Sequence, residues 1–125
     1  MPARVFSAEL QGIDAVKVEV EVDVGGIEQR FQIVGLPDTA VNESRERVKA
    51  ALKYSGFEIP RKKIVVNLAP AGIRKEGASF DLPIAIGILL AEGHLEVSSL
   101  SDFLIAGELA LDGTVRPIPG VLSLA

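Results

Sequence analysis

Nine cationic side chains fall between positions 45 and 75: Arg45, Arg47, Lys49, Lys53, Arg61, Lys62, Lys63, Arg74 and Lys75. Only Glu46 and Glu58 oppose them, so this stretch carries +7 while the rest of the chain carries −11. Lysine and arginine gain affinity for nucleic-acid phosphates by releasing the counterions condensed there. A basic face can therefore exist on a chain whose net charge is −4. Arg45, Lys49 and Lys53 recur every four residues, the spacing of one helix face. Arg61, Lys62 and Lys63, and then Arg74 and Lys75, fall in intervening loops. These eight residues are the candidate DNA contacts. Tyr54, Phe57 and Phe80 are the aromatics near enough in sequence to stack on bases, so binding is expected to follow the backbone and tolerate sequence. The plainer alternative is a solvated helix face whose charges the fold scatters.

Other chemistry has less support. Gly72 to Ser79 imitates the phosphate loop G-x-x-x-x-G-K-[ST], but Ala78 stands where the phosphate-reaching lysine belongs. No ATP hydrolysis is expected from this chain. No G-x-G-x-x-G string supports a nicotinamide cofactor. His94 is the one histidine and there is no cysteine, so neither a zinc site nor a histidine triad has its partners, and no metal site is expected. Glu19, Glu21 and Asp23 alternate with valines, which marks a solvated strand face.

These residues must be positioned by a small set of elements. Val16, Val18, Val20, Val22 and Val24 alternate with polar residues, the period of a half-buried strand. Gly25-Gly26 suits a tight turn, and Ile27 to Val34 is expected to return as the second arm of a hairpin. Asp38 or Thr39 caps a helix running to about Ser55, stopped by Gly56. Its buried stripe comprises Val41, Ser44, Val48, Ala51, Leu52 and Ser55, and Glu43 can pair with Arg47. Ile64 to Leu68 reads as a strand covered on both faces. Asp81 caps a buried helix from Leu82 to about Glu92. Phe103 to Leu111 and Thr114 to Ile118 form a second hairpin around Asp112-Gly113. Val121 to Ala125 reads as the start of another helix.

At 125 residues with 48% hydrophobic side chains, the chain can bury one core and constitutes one domain. No apolar run approaches the ~20 residues that cross a bilayer, and no export signal opens the chain. Absence of cysteine fits a cytoplasmic location. The expected fold is α+β, a mixed β-sheet with helices packed on one side in a two-layer sandwich.

Several strings are similar to the N-terminal domain of the ComM/YifB family of magnesium-chelatase-related AAA+ ATPases. They are Val34-Gly35-Leu36-Pro37-Asp38, Glu43-Ser44-Arg45-Glu46-Arg47-Val48, Val66-Asn67-Leu68-Ala69-Pro70-Ala71, Lys75-Glu76-Gly77, Phe80-Asp81-Leu82-Pro83-Ile84-Ala85, and Gly107-Glu108-Leu109 with Leu111-Asp112-Gly113. They span essentially the whole chain in order. The resemblance implies a domain taken from a longer, ring-forming hexameric ATPase that is linked to natural transformation and acts as a helicase on branched DNA. ATP and Mg would then be bound by a module elsewhere, and this domain would need no cofactor. Its partners would be DNA, its own ATPase module and neighbouring subunits, with no membrane. The alternative is a structural module that docks on the ring without touching nucleic acid.

The domain also resembles the proteolytic domain of Lon protease. Ser79 matches the position of the Lon nucleophile, but the lysine that should activate it falls at Leu122, which cannot accept a proton. The resemblance therefore implies a Lon-like fold without Lon chemistry, and no catalytic residue in this chain.

Overall fold

The computed structural model describes residues 2–11, 14–96 and 100–116. Four strands form the main sheet: β1 (Ala3–Gln11), β2 (Asp14–Gly25), β3 (Arg30–Val34) and β4 (Lys63–Ala69), in the order β1-β2-β4-β3. β1 and β2 are antiparallel, as are β2 and β4, while β3 runs parallel to β4. The sheet is mixed, as expected.

The expected hairpin of Val16–Val24 with Ile27–Val34 does not form. β4 inserts between β2 and β3 and pairs with both, Val22 opposite Val66 and Ile33 opposite Val66. The Gly25-Gly26 turn, with Gly26 at φ +76°, therefore launches a crossing to the far edge. β4 carries the β-branched run Ile64-Val65-Val66, suited to a central strand, and gains a partner on each edge by entering there. The actual partner of β2 is β1, whose inward face carries Val5 but also Ser7 and Glu9. Those two polar residues hide the strand from an alternation test.

One sheet face holds the core. Val5, Val18, Val20, Val22, Ile33, Ile64, Val66 and Leu68 point to it and are buried. β4 is fully buried on that face alone, with Val65 and Asn67 only half-buried on the other, a correction to the strand covered on both sides. Helix α3 (Asp81–Ala91) lies against β1 and β2, with Ile84, Ala85 and Ile88 buried. Gly87 permits this approach, because a Cβ there would come within 2.5 Å of a Val22 methyl.

The Asp38 carboxylate accepts the Val41 N–H at 2.7 Å and opens α1 (Thr39–Asn42), which continues across Glu43 into α2 (Ser44–Tyr54). Val41, Ser44, Val48, Ala51 and Leu52 are buried as their spacing predicts, and Ser55 is exposed. A short hairpin, β5 (Glu108–Leu109) with β6 (Val115–Arg116), turns at Gly113, φ +89°. It is shorter than the spacing suggested, since a 3-10 turn at Leu100–Asp102 and irregular chain precede it. Ile118, Leu122 and the expected terminal helix at Val121–Ala125 lie outside the described residues. Among the described residues no helix is long and apolar enough to cross a membrane.

Candidate nucleic-acid interface

The N-terminal ends of β3 and β4 and the C-terminal ends of α2 and α3 meet at one corner of the molecule. There they enclose a groove of about 900 Å³. Lys53 enters from the last turn of α2, and Arg61 and Lys62 from the loop that leads into β4. Phe57, Ile59 and Pro60 supply the apolar part of the lining, and Gln29 and His94 close the sides. Glu58 and Glu92 also line it, and Lys62 Nζ lies 3.8 Å from Glu92 Oε2. Lys53 and Arg61 form no ion pair among the described residues and are free to meet an anion.

Two helix endings built alike shape this corner. After α2, Gly56 (φ +92°) donates its N–H to Lys53 O at 3.1 Å, and Phe57 donates to Leu52 O at 2.9 Å. After α3, Gly93 (φ +77°) donates to Leu90 O at 3.1 Å, and His94 donates to Leu89 O at 2.8 Å. Both are Schellman endings, in which a left-handed glycine satisfies the last helical carbonyls and fixes where the following residue points. That following residue is an aromatic ring each time. The ring centroids of Phe57 and His94 stand 5.3 Å apart at 59°.

The other candidate contacts are not here. Lys63 opens β4 beside the groove and is half-buried. Arg45 turns onto β3, its Nε donating to Asn42 O at 3.1 Å and its Nη1 to Phe31 O at 3.4 Å. Lys49 lies over the Phe31 ring, 6.0 Å from its centroid, and 3.7 Å from Glu46 Oε1. Arg74 is exposed beyond the opposite end of β4, pairing with Glu76 at 3.5 Å. Seven residues of strand separate those ends, about 20 Å at the usual rise. The single basic face implied by the sequence is thus divided: Lys53, Arg61 and Lys62 line the groove, Arg45 and Lys49 meet at Phe31, and Arg74 lies beyond the other end of β4.

Lys75 is a plain correction. It has no exposed surface, and its Nζ donates to Pro70 O. Burial pushes its ammonium below its usual pKa of 10.5, an effect that nearby Glu9 partly offsets. Glu9, 8% exposed, accepts the Glu76 N–H at 3.2 Å, and burial raises its carboxyl above the usual 4.5. Asp38 accepts the Gly77 N–H at 3.2 Å. Two loop amides that a phosphate would need are thereby held by carboxylates, at odds with the phosphate-loop imitation.

Asp81 is the second correction. It is the first residue of α3 and does not cap it. Its fully buried carboxylate accepts from Ser44 Oγ at 2.5 Å, Arg47 Nε at 2.6 Å, Arg47 Nη2 at 3.1 Å and the Leu109 N–H at 3.0 Å. The strings around Ser44, Asp81 and Leu109 therefore meet at one knot joining α2, α3 and β5. Ser79 is half-buried, and its carbonyl accepts the Gly107 N–H at 2.8 Å. Among the described residues no cluster of His, Asp and Glu is arranged to hold a metal ion.

Residues 18–125 match the family described as Subunit ChlI of Mg-chelatase. The chain is 45% identical over 114 residues to Uncharacterized protein YifB of Salmonella typhimurium, covering 91% of this chain and 22% of the relative. It is 46% identical over 120 residues to Competence protein ComM of Haemophilus influenzae, covering 96% of this chain and 24% of the relative. A Mycobacterium tuberculosis protein, Rv2897c, is 40% identical over 119 residues, covering 95% of this chain and 24% of its own length. The chain thus spans about a quarter of the length of the curated relatives it matches.

Proposed function

This chain belongs to the magnesium-chelatase-related ComM/YifB family, and we propose that it serves there as a non-catalytic domain that holds DNA. The observation that carries this reading is the convergence of Lys53, Arg61 and Lys62 on one groove from two separate elements. Cations that meet in a concave site and lack full carboxylate neutralisation are suited to phosphodiesters. The work on DNA, branch migration or unwinding during natural transformation, falls to an ATPase module that binds ATP and Mg elsewhere in the whole protein. Such a protein acts in the cytoplasm as a ring of subunits, so its own ATPase module and its neighbours are the further partners.

No ATP turnover is assigned to this domain. Support comes from Ala78 at the lysine position of the phosphate loop, and from the Glu9 and Asp38 carboxylates on the loop amides. The Lon-like fold is retained as part of the proposal, with Ser79 in a structural role.

A second reading is a docking module without nucleic-acid contact. It is favoured by Tyr54, Leu111 and Val115, exposed at 75%, 62% and 51%. A Cβ at Gly113 would lie 2.7 Å from Ser55 Oγ, which puts the β5–β6 turn beside the end of α2 where Tyr54 sits. Binding of labelled forked, single-stranded and duplex DNA over a salt series separates the two readings. Salt-sensitive binding that collapses when Arg61 and Lys62 become Glu supports the DNA reading. A folded protein that binds none at low salt supports docking.

A further inference from the structure

The groove offers more than charge. We infer that it takes single-stranded rather than duplex DNA, with an unpaired base against the rings of Phe57 and His94 and adjoining phosphates on Lys53, Arg61 and Lys62. This rests on the DNA reading above and adds the form of DNA to it.

Three observations carry it. First, the site is concave and of about 900 Å³, within the range of pockets that enclose small molecules. A duplex presents a convex rod of phosphates with its base faces hidden in the stack, so it can offer phosphates to the rim but only an unpaired nucleotide can offer a base face to the rings. Second, the lining is divided by chemistry. Phe57 is half-buried and His94 exposed, with their centroids 5.3 Å apart, while Lys53 and Arg61 are exposed cations. A π-face for a base beside cations for its phosphates is the pattern of single-strand sites. Third, the backbone that carries the rings is fixed. Each follows the glycine of a Schellman ending, with the Phe57 N–H on Leu52 O and the His94 N–H on Leu89 O, so the main chain at neither ring must be ordered when a base arrives.

Glu92 tempers the field here by pairing with Lys62. The electrostatic contribution is therefore modest. With Lys53 and Arg61 the cations unpaired among the described residues, the log–log salt slope on a single strand should be about −1.4, too shallow for charge alone to account for selective binding.

The test compares a labelled mixed-sequence single strand with its blunt duplex by anisotropy, for the wild type, His94→Ala and Phe57→Leu. Leucine keeps the apolar contact that Phe57 makes at the helix end, and His94 is exposed, so the two variants do not share a folding risk. The wild type should prefer the single strand. Each variant should weaken single-strand binding about tenfold, leaving duplex binding and the salt slope unchanged. Full single-strand affinity in both ring variants, with Arg61→Glu still abolishing binding, would overturn the inference and leave the DNA reading standing. Equal loss on both DNA forms would overturn it too. No binding of either form by folded wild type would overturn both.

Discussion

Arg47 grips Asp81 across 34 positions of sequence, with Nε 2.6 Å from Oδ2 and Nη2 3.1 Å from Oδ1. The carboxylate has no exposed surface, and the hydrogen bonds that Arg47 gives it, with its negative charge, hold the guanidinium above the ordinary arginine range. Arg47 was absent from the eight candidate DNA contacts, and the structure gives it this structural task. Replacing Arg47 with Leu would leave a buried anion with only Ser44 Oγ and the Leu109 N–H. The expected cost is about 3 kcal/mol in urea unfolding. A loss below about 1 kcal/mol would show the knot to be incidental.

Glu9 and Lys75 give the domain a pH signature with two opposite signs. Burial raises Glu9 above 4.5, so between 4.5 and its raised value the folded state keeps a proton that the unfolded chain has released. Stability therefore falls as pH climbs through that window, and Glu9→Gln should gain on the wild type over the same range. Burial lowers Lys75 below 10.5, so the unfolded chain holds the extra proton between that lowered value and 10.5. Stability then rises with pH, and Lys75→Met should remove the rise. Denaturation curves recorded against pH check both signs, and variant curves parallel to the wild type would contradict them.

Gly35 stands at φ +107°, and a Cβ there would meet the Leu68 carbonyl oxygen at 2.2 Å. The next residue, Leu36, is itself left-handed at φ 56°. Gly35→Ala should thus cost more than about 2 kcal/mol, because both the conformation and the contact are forbidden. Thermal unfolding will register this as a drop of several degrees or more.

Ser79→Ala should change neither stability, within about 0.5 kcal/mol, nor DNA binding. The bond that Ser79 makes to Gly107 uses its carbonyl, which alanine keeps. Hydrolase activity lost in this variant alone would restore the Lon-like chemistry set aside above.

What the sequence revealed follows from how local each signal is. Asp38 as a helix cap, the stripe from Val41 to Leu52 and the Gly113 turn depend on neighbours in the chain, and all appear where their spacing placed them. Strand order does not depend on neighbours, so the insertion of β4 between β2 and β3 left no mark on the alternation of the valines. Burial of Lys75 was likewise invisible, since its shielding comes from a loop folded against Glu9. Part of the groove was legible: Lys53, Arg61, Lys62 and Phe57 were in view, and His94 stood out as the one histidine. Their meeting was not, although Gly56-Phe57 and Gly93-His94 repeat one helix-ending pattern that signals two rings aimed by two caps.

The most direct measurement is a map of backbone amide shifts as a single-stranded oligonucleotide is titrated into labelled protein. The account predicts changes concentrated at Lys53, Phe57 to Lys62 and Glu92 to His94, fading as salt is raised. Changes centred on Arg74 to Gly77, or on the acidic strand from Glu19 to Asp23, would contradict it.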